Sequence, residues 1–283
     1  MMKKRLMAGL LALTLLLAAG LSGAETVGSG TALTENEDAA PAVLPGYSAE
    51  TGYTYVSFGR YPQWIDGGDP QKMAWKWSRN KLLDNPPEVE PSPILWRVLA
   101  SDEEQAFLLS EYVLFAMAMH PSLKEYKQMG GAFPETQLGK YLNLEFLTDA
   151  FTAEEQSLIR RNEDGTLITL LTAEEMNNRD FGLGKNKKNT ARKAWATEYA
   201  IRVTDVFVYR LAVGMHTCYW LKDQAKNQKD HTRCIKQTGD IGHIACITLN
   251  EGARPALHLN LRDTRILGGS GTKEDPYLLD TAP

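Results

Sequence analysis

Short blocks of apolar positions, rather than long helical stripes, organise this chain, and most of them predict strands. Tyr53, Tyr55, Val56 and Phe58 make residues 53–58 aromatic and β-branched, which suits a strand. Residues 94–99 and 106–110 are two apolar runs joined by Ser101, Asp102, Glu103 and Glu104, and this order predicts a hairpin with a solvated acidic turn. Residues 166–171, 205–209, 244–249 and 256–261 predict further strands. Helical spacing is confined to the middle of the chain. Leu138, Tyr141, Leu142 and Phe146 predict a helix over residues 136–147. Thr152 with Glu155, and Thr172 with Glu175, fit the capping box, in which a hydroxyl and a carboxylate satisfy each other's free amides. The first predicts a helix over residues 153–161.

Polar, irregular stretches separate these blocks. Residues 64–92 carry Gly67-Gly68, Pro86-Pro87 and Pro91, and a loop of that length inside a domain is often functional. Trp75 and Trp77 lie within it. They are read either as aromatic faces offered to a sugar or peptide, or as pins that fix the loop to the core. Gly182-Leu183-Gly184-Lys185 lacks the spacing of a phosphate-binding loop and predicts a solvated loop. Ser270 is no nucleophile elbow, because Thr272 occupies the second required glycine position.

The N-terminus changes the expected compartment. Lys3, Lys4 and Arg5 precede an apolar run of 16 residues from Leu6 to Leu21, and Ser22-Gly23-Ala24 supplies a small-residue cleavage site. This is the pattern of a secretory signal peptide over residues 1–24, and the run is short for a membrane span. The expectation is a secreted or cell-surface protein without stable membrane insertion of the mature chain. Residues 25–50 hold no Lys or Arg and few large apolar side chains, which predicts an acidic disordered linker before a single domain over residues 51–283. The whole chain carries a net charge of −4, and removing the three positive charges of the leader leaves −7. Such a protein is poorly suited to neutralising phosphates, so nucleic acid is not an expected partner.

Candidate chemistry gathers in residues 216–259, which contain all three cysteines and three of the five histidines. There, two apolar pieces flank a polar, mostly basic excursion over residues 222–236, read as strands carrying a loop. Rigidly held loops are where binding residues concentrate. The pairs His216/Cys218, His231/Cys234 and His243/Cys246 offer ligands that zinc accepts. Their spacing matches no standard zinc finger, and neither metal nor other cofactor is expected. Three cysteines are too few for a disulfide framework. Cys246 sits beside Ala245 and Ile247 and reads as a buried thiol. Cys218 and Cys234 are then the pair best placed to bridge if a bridge forms, closing a loop of about 17 residues worth roughly 3 kcal/mol. Trp220 reads as a ligand contact or a core strand residue, and Arg254 as a ligand contact or a structural charge-assisted hydrogen bond.

Six short pieces, taken in order, carry a resemblance. They are Phe58-Gly59-Arg60-Tyr61-Pro62-Gln63; Pro93-Ile94-Leu95-Trp96-Arg97-Val98-Leu99; Leu142-Asn143 and Phe146 with Phe151-Thr152 and Glu155; Leu170-Leu171-Thr172 with Glu174-Glu175; Tyr219-Trp220-Leu221; and Arg254-Pro255-Ala256. Together they resemble the bacterial exported family known only as domain of unknown function 6273. The chain departs from that pattern at Lys222, where Arg is usual, at Ala253, where Val is usual, and in a longer insertion around Trp75 and Trp77. The resemblance implies an α+β fold. This would be a single domain of mainly antiparallel strands with a few short helices, C-type-lectin-like and similar to formylglycine-generating (sulfatase-modifying) enzymes. It implies no reaction, and a shared fold does not transfer function. The expectation is a non-catalytic binding module for a glycan or an extracellular protein, with Trp75, Trp77, Trp220, Lys222 and Arg254 as candidate contacts. The alternative is a metal- or cysteine-dependent enzyme distantly related to formylglycine-generating enzymes, with no catalytic residue carried over.

Overall fold

The computed structural model describes residues 43–65, 82–186, 190–207 and 216–281. The predicted leader, most of the predicted linker, Trp75, Trp77 and the end of the predicted 205–209 strand lie outside the described residues.

The described chain is an α+β domain dominated by strands. β1 (Thr54–Pro62), β2 (Pro91–Ser101) and β3 (Gln105–Ser110) form an antiparallel meander. β4 (Phe115–Ala116), β5 (Ile159–Arg160) and β6 (Ile168–Thr169) are short. β7 (Tyr219–Gln224), β8 (His231–Ile235) and β9 (Ile241–Ala245) form a second antiparallel meander. β10 (Gly252–Ala253), β11 (Ala256–Asn260), β12 (Thr264–Gly268) and β13 (Tyr277–Thr281) follow. The larger sheet has the order β12-β13-β1-β2-β3-β11-β5, with β6 also on β11; the smaller has the order β4-β10-β7-β8-β9. Five short helices lie between β4 and β7: α1 (Leu123–Gln128), α2 (Gln137–Asn143), α3 (Glu145–Ala150), α4 (Ala153–Ser157) and α5 (Glu198–Arg202).

Alternation along the strands explains why both sheet faces are dry. Side chains two apart share a face. Ile94, Trp96 and Val98 on β2, Ala106 and Leu108 on β3, and Leu257 and Leu259 on β11 enter one apolar cluster. The intervening Leu99, Phe107, Leu109 and Ala256 enter a second cluster on the other face. The smaller sheet keeps this division, sending Trp220 and Cys234 to the first cluster and Tyr219, Leu221 and Ile235 to the second. Trp96 anchors the first cluster and donates Nε1–H to the Phe58 carbonyl at 2.8 Å. Phe146 and Phe151 close it from the helical side against Tyr61 and Phe58.

Local rules account for several junctions. The Thr152/Glu155 capping box forms at α4, and Glu155 also accepts the Gly59 amide at 3.2 Å. Gly59 has φ 68° at a β-bulge, and a Cβ there would meet the Phe151 ring at 2.5 Å. Thr172 and Glu175 exchange the same reciprocal bonds, but only a three-residue 3-10 turn follows (Glu175–Asn177). The acidic 102–104 turn is closed by Asp102, whose Oδ1 accepts the Glu104 and Gln105 amides.

Three expectations are corrected, and one pair of strands was not foreseen. The packed chain begins at Leu44, not at residue 51: Leu44 is 1% exposed, Ser101 Oγ donates to its carbonyl, and the Tyr47 amide donates to the Leu99 carbonyl at 3.2 Å. One buried leucine has no periodicity to betray it. The basic excursion over residues 222–236 is mostly β7 and β8, since Thr232, Cys234 and Ile235 turn inward between polar neighbours. The strand expected over residues 244–249 is β9, ending at Ala245; the chain then turns, leaving Leu249 75% exposed. β12 and β13, hidden in a Gly-rich tail, complete the larger sheet, with β13 parallel to β1.

Candidate functional site

The second meander holds the candidate site. Arg233 on β8 is registered opposite His243 on β9, and directly opposed residues project on the same face. Asp223 on β7 joins them, and the three side chains line a groove of about 840 Å³, within the size range of small-ligand sites. Ala173, Glu174 and Asn177 from the Thr172-capped turn form the facing wall, and Gln224 to Gln228 form the rim. Asp223 fastens wall to floor by accepting the Ala173 amide. Burial pushes its carboxyl above the usual range, opposed by that amide and by the charges of Lys222 and Arg233. The rim is braced by Gln224, which donates to the Lys229 carbonyl at 2.7 Å. The groove thus presents acids, bases and amides on a strand floor.

Of the candidate contacts expected from the sequence, the three that lie among the described residues, Trp220, Lys222 and Arg254, do not line this groove. Trp220 is 1% exposed and donates Nε1–H to the Met117 carbonyl at 2.9 Å, so it is a core residue. Arg254, also 1% exposed, donates from Nε to the Ser110 carbonyl at 2.8 Å and from Nη1 to the Tyr219 hydroxyl at 3.1 Å. Its place is structural, at the join of β3, β7 and β11. Lys222 lines a different groove from its neighbour Asp223.

The three cysteines are free thiols. Cys234 is registered opposite Trp220, so Cys218 lies one diagonal step away rather than across from it. Burial pushes the Cys218 and Cys246 thiols up to about 11, and Cys234 higher still. Glu251 shares this buried patch: it is 4% exposed, bonds Cys234, leaves Oε1 without a partner, and is raised by burial to about 7. His231 and His243 meet edge to face, with centroids 5.5 Å apart. His231 pairs with Asp230 at 2.8 Å and His216 packs on Trp195. Among the described residues no group of three His, Cys, Asp or Glu side chains is placed to hold a metal ion.

Sequence reasoning named neither Asp223 nor Arg233 individually within the 222–236 excursion, and read His243 only as a possible zinc ligand beside Cys246. The signal was available as period-two alternation in His231-Thr232-Arg233-Cys234-Ile235, which a count of basic residues obscures. It also passed over a buried ion-pair network. Arg97 donates to Glu111 Oε2 from Nε at 2.7 Å and from Nη2 at 2.5 Å, and Lys273 reaches Oε1 at 2.8 Å. Burial alone would raise the Glu111 carboxyl; Arg97, Arg254 and Lys273 together outweigh it and hold the group at about 2.

A strand-dominated α+β domain carrying a polar groove defines a class of architecture, not an activity. The model of the family described as Domain of unknown function (DUF6273) matches residues 103–261, more than half of the chain, and the protein belongs to that family. The matched region contains the second meander and its groove but not the Phe58–Gln63 or Pro93–Leu99 pieces. No curated protein matches the chain. No solved structure matches it.

Proposed function

We propose that this chain is an exported, non-catalytic binding module that recognises a glycan or an extracellular protein through the groove floored by Asp223, Arg233 and His243. The observation that carries the reading is the groove itself, a volume of about 840 Å³ lined by charged and amide side chains on paired strands. Such a surface offers directional hydrogen bonds on a rigid scaffold, the combination that gives a polar ligand orientation. Export rests on the pattern of Lys3, Lys4 and Arg5, the apolar run and Ala24. The finer assignment to a lectin-like fold belongs to the same proposal and is supported by antiparallel strands bearing long connections.

The cysteine-dependent alternative is disfavoured, since a thiolate is the reactive form and burial holds these thiols protonated. Glycan and peptide arrays probed with residues 25–283 test the proposal. Selective retention of one ligand class, abolished by Asp223→Ala with Arg233→Ala, is expected. Retention that the double variant leaves unchanged would contradict it.

A further inference from the structure

A second groove, of about 470 Å³, lies on the other side of β7 and is lined by Arg160, Lys222, His258 and Gln105 together with acidic residues of the 160–164 turn. Register builds it. Phe107 on β3, His258 on β11 and Arg160 on β5 are successive cross-strand partners, so their side chains form one row. The His258 ring is stacked on Phe107, with centroids 4.3 Å apart and planes 7° from parallel. Its Nδ1 is buried without a partner, so the ring meets the groove through its other edge. Burial keeps the imidazole in its neutral form, and Arg160 and Lys222 lower its basicity further against the opposing effect of Glu175.

The charges in this groove are unequally engaged. Glu175 Oε2 is taken by the Thr172 amide and hydroxyl, and Asp164 Oδ1 by the Thr166 amide and hydroxyl. The cations are held more loosely. Lys222 Nζ stands 3.8 Å from Asp164 and 3.4 Å from Thr169 Oγ1, and Arg160 stands 3.6 Å from Glu104. Asp164 and Glu175 thus close turns, while Lys222 and Arg160 keep capacity for a further acceptor. The carboxylates of Glu163, Asp164 and Glu175 would repel a dianion such as phosphate, which favours a singly charged group on a hydroxylated body.

We infer that this groove is a binding site for a small hydroxylated carboxylate, its anionic group held by Lys222 and Arg160, its edge read by His258 and a hydroxyl by the Gln105 amide. A uronic acid has this chemistry. The inference is independent of the Asp223 groove, whose residues it does not use.

D-glucuronate is the probe, with D-glucose as the neutral control and inorganic phosphate as the dianion. The proton and nitrogen shifts of the His258 ring are followed by NMR in the mature protein. Glucuronate is expected to move the His258 signals saturably, glucose not at all, and phosphate more weakly. Lys222→Met is expected to raise the glucuronate dissociation constant about tenfold, the loss of one charge-assisted bond, at an unchanged unfolding midpoint. Lys222→Arg is expected to restore binding. Unmoved His258 signals, an equal response to glucose, tighter binding of phosphate, or full binding by Lys222→Met would each overturn the inference. If Lys222→Met lowers the midpoint, Arg160→Gln replaces it with the same expectation.

Discussion

Replacing Glu111 with alanine tests a buried electrostatic network of the fold. Glu111 and Arg97 are each 6% exposed, so removing the carboxylate takes the charge partner from the buried Arg97 guanidinium and a favourable charge from the neighbourhood of buried Arg254. Breaking a buried pair by deleting one partner costs about 3–5 kcal/mol. Proton linkage gives an independent figure: a carboxyl held at about 2 rather than the usual 4.5 contributes about 3 kcal/mol at neutral pH. Lys273 adds little, being a third exposed. For a domain of this size that loss lowers the unfolding midpoint by roughly 6–20 °C. The sign of the pH dependence follows from a depressed acid. Its contribution is full above pH 4.5 and disappears as pH falls towards 2, so the gap between wild type and Glu111→Ala should be flat near neutrality and narrow in acid. Urea unfolding across that range measures it. A gap below 1 kcal/mol at pH 7, or one that does not narrow in acid, would refute the reasoning.

Other consequences are equally direct. Glu251, raised to about 7 by burial, has the opposite sign: its unfolded form ionises from pH 4.5, so stability falls by about 3 kcal/mol as pH rises to 7, and Glu251→Gln should flatten that slope in urea titrations. Deleting residues 25–42 should leave the unfolding midpoint unchanged, whereas Leu44→Ala should cost about 2–5 kcal/mol; equal effects would place the domain boundary elsewhere. Gly59→Ala, forced to φ 68° against Phe151, should destabilise by more than 1 kcal/mol in the same assay. Alkylation followed by mass spectrometry should find Cys218, Cys234 and Cys246 slow to react until the protein unfolds; a Cys218–Cys234 bridge would contradict the free thiols seen here.

The sequence revealed those parts of the fold in which one physical signal dominates. The β2–β3 hairpin was legible because two dense apolar runs flank an acidic turn, and α4 because its capping box is a local device. β8 was not, because its inward residues alternate with His231 and Arg233 and the stretch reads as polar on average. β12 and β13 were lost among glycines whose role is to turn the chain. At the proposed site, the sequence pointed to the same stretch of chain for a different reason. Cysteines and Trp220 drew attention to residues 216–259, yet Trp220, Cys234 and Cys246 face the core and Cys218 is half-buried. The groove is made by Asp223, Arg233 and His243, which come together only through a register that composition cannot supply. Arg254 read as a ligand contact or a structural hydrogen bonder, and it is buried with Ser110 and Tyr219 satisfying part of its fork.

The central claim is that the Asp223–Arg233–His243 groove binds a ligand without transforming it. Backbone amide shifts of residues 25–283, titrated with the ligand selected on the arrays, test this most directly, with the ligand recovered and weighed by mass spectrometry afterwards. The account predicts saturable shifts clustered at residues 173–177, 223–233 and 243, and a ligand of unchanged mass. Shifts centred elsewhere, or a ligand cleaved or modified on recovery, would contradict it.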